Sequence, residues 1–145
     1  MRFVFLLALV LVGGCATQPP EQVPEQKPEP PPPPAASAHK ESIAVAGLLD
    51  SARTESAAGN LAGAAASLER AIRIEPRNPR LWHELARVRL KQGQFAQAES
   101  VAARSNSWAA DDKALRADNW RLIAQAREAR GDAEGARAAL EAANR

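Results

Sequence analysis

Few side chains in this 145-residue chain could do chemistry, and their spacing rules most of it out. There is one cysteine, Cys15, and there are two histidines, His39 and His83. A single thiol makes no internal disulfide, and isolated histidines without a second cysteine do not assemble the ligand set of a metal site. The sequence has no Gly-rich phosphate loop, dinucleotide-binding turn or nucleophile elbow, and no nucleophile standing with a base. It reads as non-enzymatic, with no cofactor and no metal. What remains is charge. Arg80, His83, Arg87 and Lys91 recur at intervals of three and four, the spacing that places side chains on one helix face. Such a stripe is either a solvated face, neutralised by nearby Glu84 and Asp118, or a surface for a carboxylate-bearing segment, which arginine grips bidentately.

The residues in front of Cys15 say what its thiol is for. Met1 and Arg2 form a short positive start, Phe3 to Val12 are unbroken apolar residues, and Gly13 and Gly14 are small. That order is the layout of a secretory signal peptide over residues 1–14. The apolar run is too short to span a bilayer, which takes about 20 residues. The stretch Val12-Gly13-Gly14-Cys15 resembles the lipobox of bacterial lipoproteins, with valine where that family more often has leucine. The resemblance implies cleavage before Cys15, diacylation of its sulfur and acylation of the new amine, as with palmitate. Each buried methylene adds about 0.8 kcal/mol, so two or three chains hold a protein firmly on a lipid bilayer. In such families an aspartate after the cysteine favours the inner membrane. Ala16 stands there instead, which implies an outer-membrane anchor facing the periplasm.

The lipidated N-terminus leads into a linker, residues 15–40, whose centre PPEQVPEQKPEPPPPP holds most of the 11 prolines. Proline removes backbone donors and fixes φ, so neither a helix nor a central strand is predicted there. A semi-rigid polyproline spacer would span roughly 60 Å from Pro19 to Ala38, at about 3.1 Å per residue. From residue 41 to 145 alanine, leucine, glutamate and arginine dominate, a helical composition of one domain's length. Loss of Arg2 with the leader leaves 18 basic against 17 acidic residues. The pI of 9.1 is therefore a small surplus and not the one-sided patch that nucleic-acid binding requires.

The helical region repeats. Gly59, Gly93 and Gly131 lie 34 and 38 residues apart, each followed by a polar residue and an alanine-rich segment. Glycine accepts the left-handed conformation that ends a helix, and Asn60 and Asp132 can cap the next one. First helices are predicted over about 43–58, 80–92 and 113–130, the middle one opened by Asn78-Pro79 and the last by Asp111 or Asp112. Ala52, Ala86 and Ala124 occupy positions where two helices come closest, and Leu48, Trp82 and Trp120 fill the gaps beside them. The period of 34 with Trp82, Leu85-Ala86, Gly93, Phe95 and Ala98 resembles the tetratricopeptide repeat (TPR). The implied fold class is all-α: a short TPR-type solenoid of three helix-turn-helix repeats, at about 45–78, 79–112 and 117–145. The chain departs from that pattern in having no tyrosine, in Ser105 for a small apolar residue, and in Ala110 where the first repeat has Pro76. Four extra residues fall between Asn106 and Asp118, where Trp108 is either a satellite core residue or an exposed contact.

The TPR resemblance implies a protein- or peptide-binding scaffold. Residues matching the family's groove positions are Leu49, Arg53, Arg80, His83, Arg87, Lys91, Arg121 and Gln125. The carboxylate clamp of the chaperone-binding subgroup is not matched, since Leu49, Arg53 and Glu84 occupy three of its places. The expected role is an envelope lipoprotein that positions another envelope protein, in secretion, pilus or peptidoglycan-synthesis assemblies, through an acidic segment. The alternative is a self-association module or complex subunit with no peptide groove in use. Ala136, Ala139, Leu140 and Ala143 predict an apolar stripe on the last helix, open to a partner or to a second copy in a homodimer.

The anchor is checked directly. Wild-type protein is expected to sediment with membranes and to incorporate labelled palmitate, and Cys15→Ser to do neither. Equal membrane retention of the variant would remove the lipoprotein reading.

Overall fold

The structure, a computed structural model, describes residues 42–145. The predicted leader 1–14, Cys15 and the linker 15–40 lie outside the described residues. Six helices follow one another: α1 (Ile43–Ala57), α2 (Leu61–Ile74), α3 (Pro79–Lys91), α4 (Phe95–Trp108), α5 (Lys113–Ala129) and α6 (Ala133–Ala143). Among the described residues there is no strand, and no helix is long and apolar enough to cross a membrane.

Local chemistry sets each boundary. The three corners within helix pairs are alike: Gly59, Gly93 and Gly131 have φ of 80°, 71° and 82°, where a Cβ would be strained. After each glycine, the next backbone N–H reaches back 2.9 Å to the carbonyl of Glu55, Arg89 or Arg127, satisfying acceptors that the helix end leaves open. Asn60 and Asp132 then accept from the N–H groups of Gly63 and Gly135 at 3.1 and 2.8 Å. Gln94 makes no cap bond, and its side-chain oxygen instead accepts from Arg89 at 2.9 Å. Between pairs, Asn78 caps α3 with Pro79 at its first turn, and Asp112, not Asp111, caps α5. Ala110 bends the α4–α5 link with φ 43°, a conformation that costs a non-glycine residue about 1 kcal/mol.

Each helix packs against the next, and α3 also touches α5. The interior is two clusters. One joins α1, α2 and α3 around Val45, Leu49, Leu68, Leu81, Leu85 and Val88. The other joins α3 to α6 around Ala86, Ala102, Leu122, Ile123 and Ala136. Val101 packs on both. Ala52, Ala86 and Ala124 are buried, at 2%, 0% and 3% exposure, whereas Trp82 and Trp120 are only half-buried at the margins. Ala136 and Ala139 belong to the second core, so the expected stripe on α6 leaves in the open Leu140, 47% exposed, and half-buried Ala143.

Ala86 gives the sharpest test of this packing. Ala86→Arg would bury a charged chain with no partner, at several kcal/mol, against a total stability of about 5–15 kcal/mol. The helical circular dichroism signal is expected to be lost or to melt far earlier. Unchanged melting would refute the helix register.

Candidate functional site

A cleft of about 230 Å³ opens between α1 and α3. Leu49, Ala52, Leu68 and Val88 form its apolar floor, and Arg53, Ser56, Glu84, Arg87 and Lys91 its rim. Leu49, expected to face the groove as a free contact, is 5% exposed and lies in the core beneath it, because its position on α1 points at α2 and α3. Glu84 is the centre of the rim. Its side chain is only 20% exposed and lies 3.2 Å from Arg87 and 3.7 Å from Arg53, which also pairs with Asp50 at 3.6 Å. Lys91 donates to Ser56 Oγ across the cleft at 2.9 Å. The rim is thus an alternation of charges and not an open field of cations.

The other predicted groove residues sit elsewhere. Arg121 is exposed on α5 and pairs with Asp118 at 2.6 Å. Gln125 is exposed on the same helix. Arg80 is exposed near the start of α3 and has no ion pair among the described residues. His83 turns toward α5. Its Nδ1 lies 2.8 Å from Asn119 Oδ1, while Asn119 Nδ2 donates to Ser105 Oγ at 2.7 Å and to Asn106 Oδ1 at 2.9 Å. Ser105 in turn donates to the Pro79 carbonyl at 2.8 Å. With its amide nitrogen committed, Asn119 accepts through Oδ1 and His83 Nδ1 carries the donated proton. Asn119 and Ser105 are fully buried, so this chain locks α3, α4 and α5 together by polar contacts inside an apolar core. Asn106 Nδ2 is buried without a partner.

A second surface feature lies where α3 meets the C-terminal half of α4. The guanidinium of Arg77 stands 5.4 Å from the ring centre of Trp108, and that of Arg104 stands 5.7 Å from Trp108 and 5.6 Å from Trp82. The indole of Trp82 is itself fixed, donating from Nε1 to the Pro76 carbonyl at 2.8 Å. Each such cation–ring contact contributes about 0.5–1 kcal/mol at an exposed site. Trp108 is therefore neither plain core nor free contact: it is half-buried between two arginines.

Sequence reasoning missed Asn119 and the arginine–tryptophan arrangement. Asn119 had a signal, since it shares the apolar face of α5 with Leu122, Ile123 and Ala126. Ser105 likewise falls in the small-residue series Ala98, Ala102 and Ala109. Arg77 carried no signal, because it stands in the α2–α3 loop and its ring comes from α4, whereas Arg104 and Trp108 stand four apart on α4, a spacing visible in sequence.

The family model of the tetratricopeptide repeat matches residues 56–117. Among solved structures, the globular C-terminal domain of P. aeruginosa LpoP is similar at a TM-score of 0.70 and 49% sequence identity, over 72% of this chain and 98% of that chain. No curated protein matches this chain.

The buried polar chain generates a stability prediction. Asn119→Ala would leave His83, Ser105 and Asn106 short of partners, at about 1–3 kcal/mol, and should lower Tm by roughly 5 °C or more. Gln125→Ala, on the exposed side of the same helix, should leave it unmoved. Equal melting of the two variants would show that the network does not hold the repeats.

Proposed function

The chain belongs to the tetratricopeptide-repeat family, and from that membership we propose that it is a lipid-anchored envelope protein whose helical domain docks a segment of another envelope protein. The lipobox-like Val12 to Cys15 supports the anchor, and Ala16 supports the outer membrane, with the domain in the periplasm. The observation that carries the docking role is the α1–α3 cleft. Its apolar floor suits one inserted side chain, and its rim sets Arg53, Arg87 and Lys91 against Asp50 and Glu84. Three cations against two carboxylates favour an acidic residue beside that side chain, near Lys91, which has no carboxylate partner among the described residues. Exposed ion pairs contribute about 1 kcal/mol or less each. Affinity therefore has to come from the apolar insertion and several polar contacts together, in the micromolar range.

The second reading, self-association through α6, rests on half-exposed Leu140 and partly exposed Ala143. A dimer held there would be broken by Leu140→Glu with the cleft left intact.

The reading is tested with the full-length protein in intact envelopes, carrying a photo-crosslinking amino acid at position 87 or, as a control, at exposed position 137. A discrete crosslinked protein is expected from position 87 only. An Arg87→Glu, Lys91→Glu double variant that still folds should bind that protein about tenfold more weakly. Crosslinking that is equal at both positions, or unchanged binding after the charge reversal, would move the docking site away from the cleft.

A further inference from the structure

The arginines of this domain differ in what orders them, and several, such as Arg80, have neither a carboxylate nor a ring beside them. Arg53, Arg87, Arg89, Arg121, Arg127 and Arg130 each meet a carboxylate. Arg77 and Arg104 do not: among the described residues they pair with tryptophan rings only. A guanidinium stacked on an indole has lost part of its side-chain freedom, while its N–H edge remains available for planar, bidentate recognition of an oxyanion. Both arginines are exposed, so those edges face solvent. Beside them lies a shallow pocket with an apolar floor, Val101, Ala103 and the Trp82 ring, walled by Arg104 and the serines 100 and 107.

We propose that the Arg77–Trp108–Arg104–Trp82 ladder is a second binding site, separate from the α1–α3 cleft, for a partner-protein segment that carries carboxylates beside an apolar side chain. This rests on the scaffold reading above and adds a site and a ligand chemistry to it. The unpaired guanidiniums supply the charge complementarity, and the apolar floor calls for a side chain that a free phosphate ion lacks. Arginine and tryptophan are also the residue types that dominate binding at protein interfaces, where pre-ordered side chains lose least on association. Two residues along a helix turn the side chain by about 200°. Trp82 therefore faces away from Glu84, and the two sites lie on different sides of α3.

The three tryptophans make the test direct, because Trp120 sits apart in the cleft between α5 and α6 and serves as an internal control. Full-length protein in detergent, labelled at the indole nitrogens, is titrated with a capped Glu-Leu-Glu peptide, with capped Gln-Leu-Gln and with inorganic phosphate, and followed by NMR. The glutamate peptide is expected to shift the Trp82 and Trp108 indole signals and leave Trp120 in place. The glutamine peptide and phosphate should do so at least about tenfold more weakly. Arg77→Gln with Arg104→Gln should weaken the peptide about tenfold. Arg104→Lys, which keeps the charge but not the planar fork, should fall between. Arg53→Gln with Arg87→Gln should change it less than about twofold. Silence at Trp82 and Trp108, an equal response to phosphate or to the glutamine peptide, or loss of the shifts on changing the cleft arginines overturns the proposal. The crosslink from position 87 reports on the cleft independently, so failure at the ladder leaves the scaffold reading standing or falling by its own test.

Discussion

The domain depends on how closely its helices approach at alanine. Ala52, Ala86 and Ala124, one to each helix pair, are buried where a longer side chain would force the backbones apart. Close approach leaves a thin interior, and the largest fully buried side chains are no bigger than leucine or isoleucine. The three tryptophans cannot enter it and are held half-buried at its edges. Each therefore presents ring surface to whatever lies beside it, which for Trp82 and Trp108 is arginine. A core built of small residues and a surface studded with aromatic ring are consequences of one packing constraint.

The same thinness explains why polar contacts do structural work inside. The two small apolar clusters share Val101, and the second brings α3, α4 and α5 to one junction through Ala86, Ala102, Leu122 and Ile123. The chain from His83 through Asn119 and Ser105 to the Pro79 carbonyl crosses that junction. Buried and satisfied hydrogen bonds add directionality, which fixes the rotation of one helix against the next more sharply than alanine contacts can. In a repeat array, where each unit touches only its neighbours, the rotation at one junction sets the placement of everything beyond it.

The helices and corners were legible in the sequence because their causes are local. Gly59, Gly93 and Gly131, the caps Asn60, Asn78, Asp112 and Asp132, and Pro79 act within a few residues of where they stand. The stripe Arg80, His83, Arg87 and Lys91 was read with the right spacing, yet its members part company in space. Arg87 and Lys91 border the cleft, His83 is drawn to α5 and Arg80 stands outside both. What divided them is the angle between successive helix pairs, a sum of many small contacts that no single spacing encodes. The pairing of Glu84 with Arg87 is an i,i+3 relation visible in sequence, whereas that with Arg53 needs α1 and α3 to be neighbours.

Charge placement follows from this geometry more than from composition. Basic and acidic residues nearly balance, so a protein of this make-up could neutralise almost every arginine internally. It does so where long side chains from adjacent helices can converge, as Arg127 and Arg130 do on Glu99. At the α3–α4 edge the neighbours are tryptophans and serines, and the arginines there are ordered without being neutralised. Ordering by an aromatic face leaves the full positive charge available, whereas ordering by a carboxylate cancels most of it. An exposed arginine on an indole is thus pre-positioned for an anion from outside.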